Sequence, residues 1–368
     1  MTARVARPDV LLVTGGAGFI GANLVRHLLA HTSARVVVLD KLSYAGHLAS
    51  LAELEADPRF QFVKGDIGDR ALVGELLERQ RPRAILNLAA ETHVDRSIDD
   101  ASAFLDTNVI GSFGLLEAVR AHWGRLPSDE RAAFRLLHVS TDEVYGSIAP
   151  GARADERAPL APSSPYSASK AAADQLMFAW HHTYGLPVLV THSANNFGPF
   201  QHPEKLIPLM LLNALEGRAL PLYGDGRNER DWLYVDDHCD ALLRTLERGR
   251  PGERYNVGAG RECTNQELVT RLCALLEEER PARANAALQG SGLSAYAELV
   301  CFVEDRPGHD RRYALDAGKI VREIGWRPGH ALDEALRATV RWYLANGDWC
   351  SAVGHDRQRL GLGARARA

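Results

Sequence analysis

Short apolar runs alternate with longer stretches of helical periodicity through the first half of the chain. The runs cover residues 10–13, 36–39, 60–63, 84–88 and 136–140; most of their positions are apolar, without interruption at 10–13 and 36–39. That is the pattern of strands buried on both faces. Between them, residues 20–30, 69–79, 104–123 and 166–184 carry helical spacing, the last after a Pro162-Ser-Ser-Pro165 stretch that sets a helix start. Each parallel crossover needs a helix, so the pattern predicts an α/β fold with a doubly wound parallel sheet of the Rossmann type. Near residue 200 it loosens. Pro and Gly become frequent, strands shorten, and a helix at 207–216 stands apart. The expected division is a sheet domain over 1–198, a smaller α/β unit over 199–353 that interleaves with it, and a basic, Gly-containing tail over 354–368 expected to be mobile.

The first run leads directly into Thr14-Gly15-Gly16-Ala17-Gly18-Phe19-Ile20-Gly21. Glycines at this spacing let the backbone turn sharply and approach a pyrophosphate, whose charge then meets the positive end of the following helix. A plain strand-to-helix turn would look the same. Asp40, at the end of the second run, adds a carboxylate that can accept from both hydroxyls of an adenosine ribose, and so points to NAD. Lys41 beside it keeps NADP open, since a cation there could meet a 2′-phosphate. Asp66 and Ile67 after the third run, and Ala89 and Ala90 after the fourth, lie at strand ends where open α/β sheets bind ligands.

Tyr166 and Lys170 are four residues apart on a predicted helix and share one face. A surface pair would show the same spacing. A phenol ionises near pH 10, and a neighbouring ammonium is expected to bring it toward neutrality, making Tyr166 a base. Ser140-Thr141-Asp142-Glu143, at the carboxyl end of the fifth run, places two consecutive acids on the ligand side of the sheet.

Composition narrows the field. Hydrophobic residues make up 46% of the 368-residue chain, which excludes a disordered or fibrous protein. A net charge of −4 leaves no broad positive field, so no nucleic-acid partner is expected. Five scattered cysteines form no CxxC pair, and His93, His238 and His309 share no metal spacing; neither a disulfide framework nor a metal is expected. The residues before Val10 form no signal-peptide core or span, so no membrane association and a cytoplasmic location are expected.

Eight motifs occur in order: TGGAGFIG (14–21), LAAETHVDRS (88–97), STDEVYG (140–146), YSASK (166–170), NNFGP (195–199), PEKLIP (203–208), RDWLYVDDH (230–238) and DRPGHDRRY (305–313). Together they resemble the nucleotide-sugar 4,6-dehydratases of the extended short-chain dehydrogenase/reductase family. The resemblance implies that Leu42, Ser43, Leu88, Thr107 and Asn196 join Gly15, Gly18, Phe19, Ile20, Gly21, Asp40, Lys41, Asp66, Ile67, Ala89, Ala90, Tyr166 and Lys170 around NAD. It implies Thr92, Thr141, Asn195, Lys205, Leu206, Pro221, Leu222, Tyr223, Arg230, Asn265, Asp305, Arg306 and His309 around the substrate, with dTDP-glucose the expected one. Thymine against uracil, and glucose against an N-acetylated relative, stay open. Lys205, Arg230 and Arg306 would meet the diphosphate, and Tyr223 would stack on the base.

By the same resemblance Thr141 positions the 4-hydroxyl, Asp142 is the acid and Glu143 the base. Oxidation at carbon 4 acidifies the hydrogen on carbon 5, Glu143 removes it, and Asp142 protonates the departing 6-hydroxyl. Hydride returns to carbon 6 and NAD ends as it began. Two neighbouring carboxyls in a partly dry site can hold opposite protonation states. A 4-epimerase or a uronate decarboxylase would share Tyr166 and Lys170 but has no use for the acid pair, and a non-catalytic NAD sensor has no need of any of the five. The helices at 104–123 and 166–184 resemble those through which the family forms homodimers. Thr92, Phe197 and Phe200 depart from the pattern, which has Ser, Tyr and Tyr there.

Overall fold

The computed structural model describes residues 9–354, and the expected mobile tail beyond Gly354 lies outside them. Seven strands form one parallel sheet: β1 (Val10–Thr14), β2 (Arg35–Asp40), β3 (Phe60–Lys64), β4 (Ala84–Asn87), β5 (Arg135–Thr141), β6 (Val188–Ser193) and β10 (Arg254–Val257), in the order β10-β6-β5-β4-β1-β2-β3. Consecutive residues of β1 serve opposite layers, Leu11 and Val13 on one face and Val10 and Leu12 on the other. This is why β1 and β2 carry unbroken apolar runs. The chain reverses direction across the sheet between β1 and β4, and a crevice opens at their carboxyl ends.

The smaller unit holds β7 (Asn195–Phe197), β9 (Glu229–Tyr234) and β11 (Glu262–Thr264) in one sheet and β8 (Leu220–Tyr223) with β12 (Val300–Val303) in another. The helices Leu206–Leu215, Asn265–Glu279 and Leu332–Ala345 cover them around a core of Phe197, Met210, Trp232, Leu272, Leu336 and Tyr343. Between these pieces the chain returns to the large sheet. The helix Val235–Arg248 packs on the helix Phe19–His31, and β10 pairs with β6. The outer edge of β10 is closed, since Asn256 N donates to Glu156 Oε1 (2.9 Å) and Lys319 Nζ donates to the Arg254 carbonyl (2.7 Å).

One predicted helix is interrupted. The stretch at 104–123 divides into Ser102–Phe104, a π-helical segment Leu105–Gly111 and the helix Ser112–Arg125. The wider turn carries Thr107 and Asn108 inward, where the Asn108 amide donates to the Glu91 carbonyl (3.0 Å) and accepts from Glu91 N (2.8 Å). Strand β6 was not among the apolar runs because Thr191, His192 and Ser193 end it; His192 bonds Asp174 and Ser193 donates to the Ser140 carbonyl (3.2 Å).

Candidate active site

The glycine loop fits its turn for two separate reasons. Gly15 has φ +70°, and a Cβ there would lie 2.6 Å from Ala89 N; a Cβ on Gly21 would lie 2.1 Å from the Gly15 carbonyl oxygen. Those two glycines are demanded by the protein's own backbone. Gly18 is different, since a Cβ there would meet only the Gly15 oxygen at 3.4 Å. Its bareness serves whatever enters the cleft. Gly18→Ala is therefore expected to lose bound NAD while its NAD-free form melts within about 2 °C of NAD-free wild type, whereas Gly21→Ala lowers Tm outright. Thermal melts and the NAD content of the purified variants check both.

Asp40 is buried, and its carboxylate accepts from Ala17 N (2.9 Å) and Leu42 N (2.8 Å), which shapes the ribose turn and offsets the burial that pushes its pKa up. Leu42 takes φ +59° in that turn. Lys41 is turned aside, with Nζ donating to Thr107 Oγ1 (2.6 Å) and lying 3.3 Å from Asp66 Oδ2. The cation that kept NADP open is thus already paired. Asp40→Ala removes two charge-assisted hydrogen bonds of about 1.5–3 kcal/mol each, so NAD retention through gel filtration is expected to fall at least tenfold.

Along this cleft lie Gly15, Gly18, Phe19, Ile20, Gly21, Asp40, Lys41, Ser43, Asp66, Ile67, Leu88, Ala89, Ala90, Thr107 and Asn196. It continues past Thr92, Asn195 and Lys205 to Thr141, Asp142, Glu143, Tyr166 and Lys170. Leu39, Ala45, Val139, Gln201 and His202 line it as well, without having been singled out by a motif. A larger polar groove of about 720 Å³ lies beside β10, lined by Glu156, Arg254 and Lys319, and holds none of the catalytic set.

Strand β5 and the helix Pro165–Tyr184 position the reacting groups. Ser164 caps that helix in a reciprocal box with Ser167, and Pro165 occupies the first turn, which fixes where Tyr166 emerges. Thr141 ends β5; its hydroxyl accepts from Glu143 N (3.3 Å) and donates to Asp142 Oδ1 (3.3 Å). Burial pushes Asp142 well above the usual carboxylate range, and repulsion from Glu143 adds to it. Burial also raises Glu143, but Arg306, Arg230 and Lys205 oppose the rise, while Arg230 is the chief cation acting on Asp142. Both carboxyls are thus raised, Asp142 the more strongly, an arrangement in which two neighbouring acids can share one proton.

Tyr166 departs from expectation. Burial and the charge of Glu143 hold its phenol above the ordinary range, and the lowering influence is a hydrogen bond with Thr141. Lys170 Nζ donates to the Val139 carbonyl (2.9 Å) rather than to the phenol, and burial depresses it to about 8 against the raising effect of Asp174.

The expected substrate residues fall into two groups. Thr92, Asn195 and Lys205 join the cleft, Lys205 Nζ donating to the Thr92 carbonyl (3.1 Å). Tyr223, Asp305, Arg306 and His309 gather instead around Asp95, which the motifs contained but did not single out. Arg306 NH1 and the Tyr223 hydroxyl donate to the two oxygens of Asp95 (2.6 and 3.0 Å), and His309 Nδ1 pairs with Asp305 (2.6 Å). Arg230 is buried on the Asp310 carbonyl (2.9 Å) and stacked 4.2 Å from the Tyr313 ring, so its charge faces the acid pair rather than solvent. Leu222 lies in the core of the smaller unit, and Leu206 packs against it. Pro221 is half-buried, and Asn265, whose N donates to the Asn228 carbonyl (3.0 Å), keeps a buried amide oxygen without a hydrogen-bond partner. Glu204 was also missed. It lies 3.1 Å from His93 Nε2, and despite burial its pKa is lowered to about 2.

Fold and site together define an NAD-dependent enzyme of the short-chain dehydrogenase/reductase class that acts on nucleotide sugars. Residues 12–339 match the family model described as GDP-mannose 4,6 dehydratase. The dTDP-glucose 4,6-dehydratase of Neisseria meningitidis serogroup B is 52% identical over 359 residues, 96% of this chain and 99% of the relative. The crystal structure of the dTDP-glucose 4,6-dehydratase of Streptomyces venezuelae, with NAD and dTDP bound, superposes with a TM-score of 0.82 at 47% identity, covering 94% of this chain and 99% of that one. The UDP-glucose 4-epimerase of Thermus thermophilus shares the fold at a TM-score of 0.77 and 29% identity, covering 92% and 99%. The chain belongs to the dTDP-glucose 4,6-dehydratase family.

Proposed function

We propose that the protein converts dTDP-glucose to dTDP-4-keto-6-deoxyglucose and water. The observation that carries the reading is the unequal carboxyl pair, Asp142 enclosed and raised, Glu143 ringed by Arg306, Arg230 and Lys205, in one cleft with Tyr166 and Lys170. NAD, held by the glycine loop and Asp40, supplies the acceptor and later the donor of hydride. Tyr166, whose phenolate the positive nicotinamide ring and the nearby Lys170 ammonium would stabilise against the burial that otherwise raises it, would take the proton of the 4-hydroxyl, which Thr141 orients. Glu143 then removes the hydrogen from carbon 5, and Asp142 gives its proton to the departing 6-hydroxyl. An epimerase on this fold has no leaving group to protonate. Purified protein given dTDP-glucose without added reductant is expected to form the 4-keto-6-deoxy product with solvent hydrogen at carbon 5. Product that retains its 6-hydroxyl would overturn the reading.

The nucleotide sugar would reach from the cleft into the smaller unit, toward Tyr223, Arg306 and His309, which accords with a substrate domain drawn mainly from 199–353. A homodimer is supported by Leu105, Ile110, Phe113 and Tyr184, large apolar side chains left 52%, 60%, 38% and 44% exposed along the helices around 105–125 and 165–184. Light scattering at micromolar concentration is expected to give twice the chain mass; a monomer would contradict it. A cytoplasmic location accords with the five free cysteines. No helix among the described residues is long and apolar enough to cross a membrane.

A further inference from the structure

The face of the helix Pro165–Tyr184 that carries Tyr166 and Lys170 continues, one turn on, to Asp174. Asp174 is fully buried, as are His138 on β5 and His192 on β6. Its Oδ2 accepts from Ser140 Oγ (3.0 Å) and from His192 Nε2 (3.0 Å). Its Oδ1 makes no hydrogen bond and lies 3.5 Å from His138 Nε2. Proton positions follow from the far end of the chain of contacts. Thr14 Oγ1 donates to Asn87 Oδ1 (2.6 Å), so the Asn87 amide nitrogen donates to His138 Nδ1 (2.9 Å) and the imidazole proton sits on Nε2. His138 is therefore neutral, in keeping with a pKa that burial depresses to about 3. It presents no cation to compete with the ammonium of Lys170, 3.5 Å away.

We propose that Asp174, held by Ser140 and His192 with His138 beside it, is a positioning residue that keeps Lys170, one helical turn from Tyr166, an ammonium during catalysis. The proposal rests on the dehydratase reading only for the role given to Tyr166. Buried lysines with pKa values of about 5–6 are known, and Asp174 opposes the burial that lowers Lys170. The ionisable groups around it are Tyr166 and Asp174 on its own helix, His138 on β5, His192 on β6, and Asp142 and Glu143 beyond the phenol. Of the other segments packed on the helix, Val94–Asp99 brings Asp95, which is engaged by Arg306 and Tyr223, and Asp99, which is exposed; Asp106 is exposed, and Glu117 is engaged by Arg120 and Trp180. Asp174 is the anion that counters burial.

The test is Asp174→Asn in the NAD-bound enzyme, with Lys170 followed by NMR of ¹³C-lysine-labelled protein and assigned through Lys170→Arg. The Lys170 midpoint is expected to fall by at least one pH unit, and the alkaline decline of kcat to move down with it, while kcat at acidic pH stays within threefold of wild type. An unmoved midpoint, or a kcat lowered equally at every pH, would overturn the proposal. Should Asp174→Asn fail to fold, wild type decides: a midpoint near 8 or above supports the role, and one below about 6, a value known for buried lysines, defeats it. The NMR midpoint needs no substrate, so a chain that shows it but does not dehydrate dTDP-glucose refutes the functional reading and leaves the network standing.

Discussion

Glu143→Gln is expected to lower kcat for dehydration by roughly 10²- to 10⁴-fold, the range lost when a positioned general base is removed. Gln keeps the shape of the side chain, and the Glu143 N–H that Thr141 accepts is untouched by the change. What disappears is the charge that Arg306, Arg230 and Lys205 stabilise. Tyr166 and Lys170 remain, so oxidation at carbon 4 continues while elimination stalls. Rapid mixing with dTDP-glucose is expected to show reduced cofactor building up by its near-ultraviolet absorbance, with little 4-keto-6-deoxy product. Unchanged turnover, or loss of both signals together, would remove Glu143 from the role of base.

Asp142→Asn is expected to abolish dehydration and at the same time stabilise the protein near neutral pH. Asp142 is buried, its Oδ2 has no hydrogen-bond partner, and both Glu143 and Asp231 oppose its ionisation. The folded pKa is therefore raised above the unfolded one, and the sign follows. Below the unfolded pKa, about 3.9, both states hold the proton and the residue carries no penalty. As pH rises from there, the unfolded chain releases a proton that the folded chain keeps, so wild type loses stability until the folded pKa is passed. Asn never titrates. The variant's Tm is expected to match wild type near pH 4 and to exceed it by about 2 °C or more at pH 7–8. A variant less stable than wild type at pH 8 would show that Asp142 is ionised and favourably held in the resting enzyme.

A carboxylic acid kept protonated by its surroundings is an arrangement a protein retains for chemistry rather than for stability. Dehydratases and epimerases share this scaffold, so the fold alone does not choose between them. The choice lies at the end of β5, in two side chains and the cations that treat them differently.

Local order was legible in the chain itself. Short, mostly apolar runs specify the strands of the parallel sheet, and a glycine loop followed by Asp40 marks the crevice between β1 and β4, because strand period, backbone sterics and hydrogen-bond capacity are properties of neighbouring residues. The same holds for the cap at Ser164 and the spacing of Tyr166 and Lys170. Asp174 was within reach too, at the next position of the same helical stripe, but a carboxylate one turn further reads as a solvated charge until its burial is known. What tertiary structure alone decided was which distant charges meet. His138 and His192 reach Asp174 from two strands, Asp95 draws in Tyr223 and Arg306 from more than a hundred residues away, and Lys41 spends its charge on Asp66. Electrostatic energies depend on separation and burial after folding, and neither is written in sequence distance. Residue types therefore announced an acid, a base and a cation, while the fold decided how differently burial and charge act on the two carboxyls.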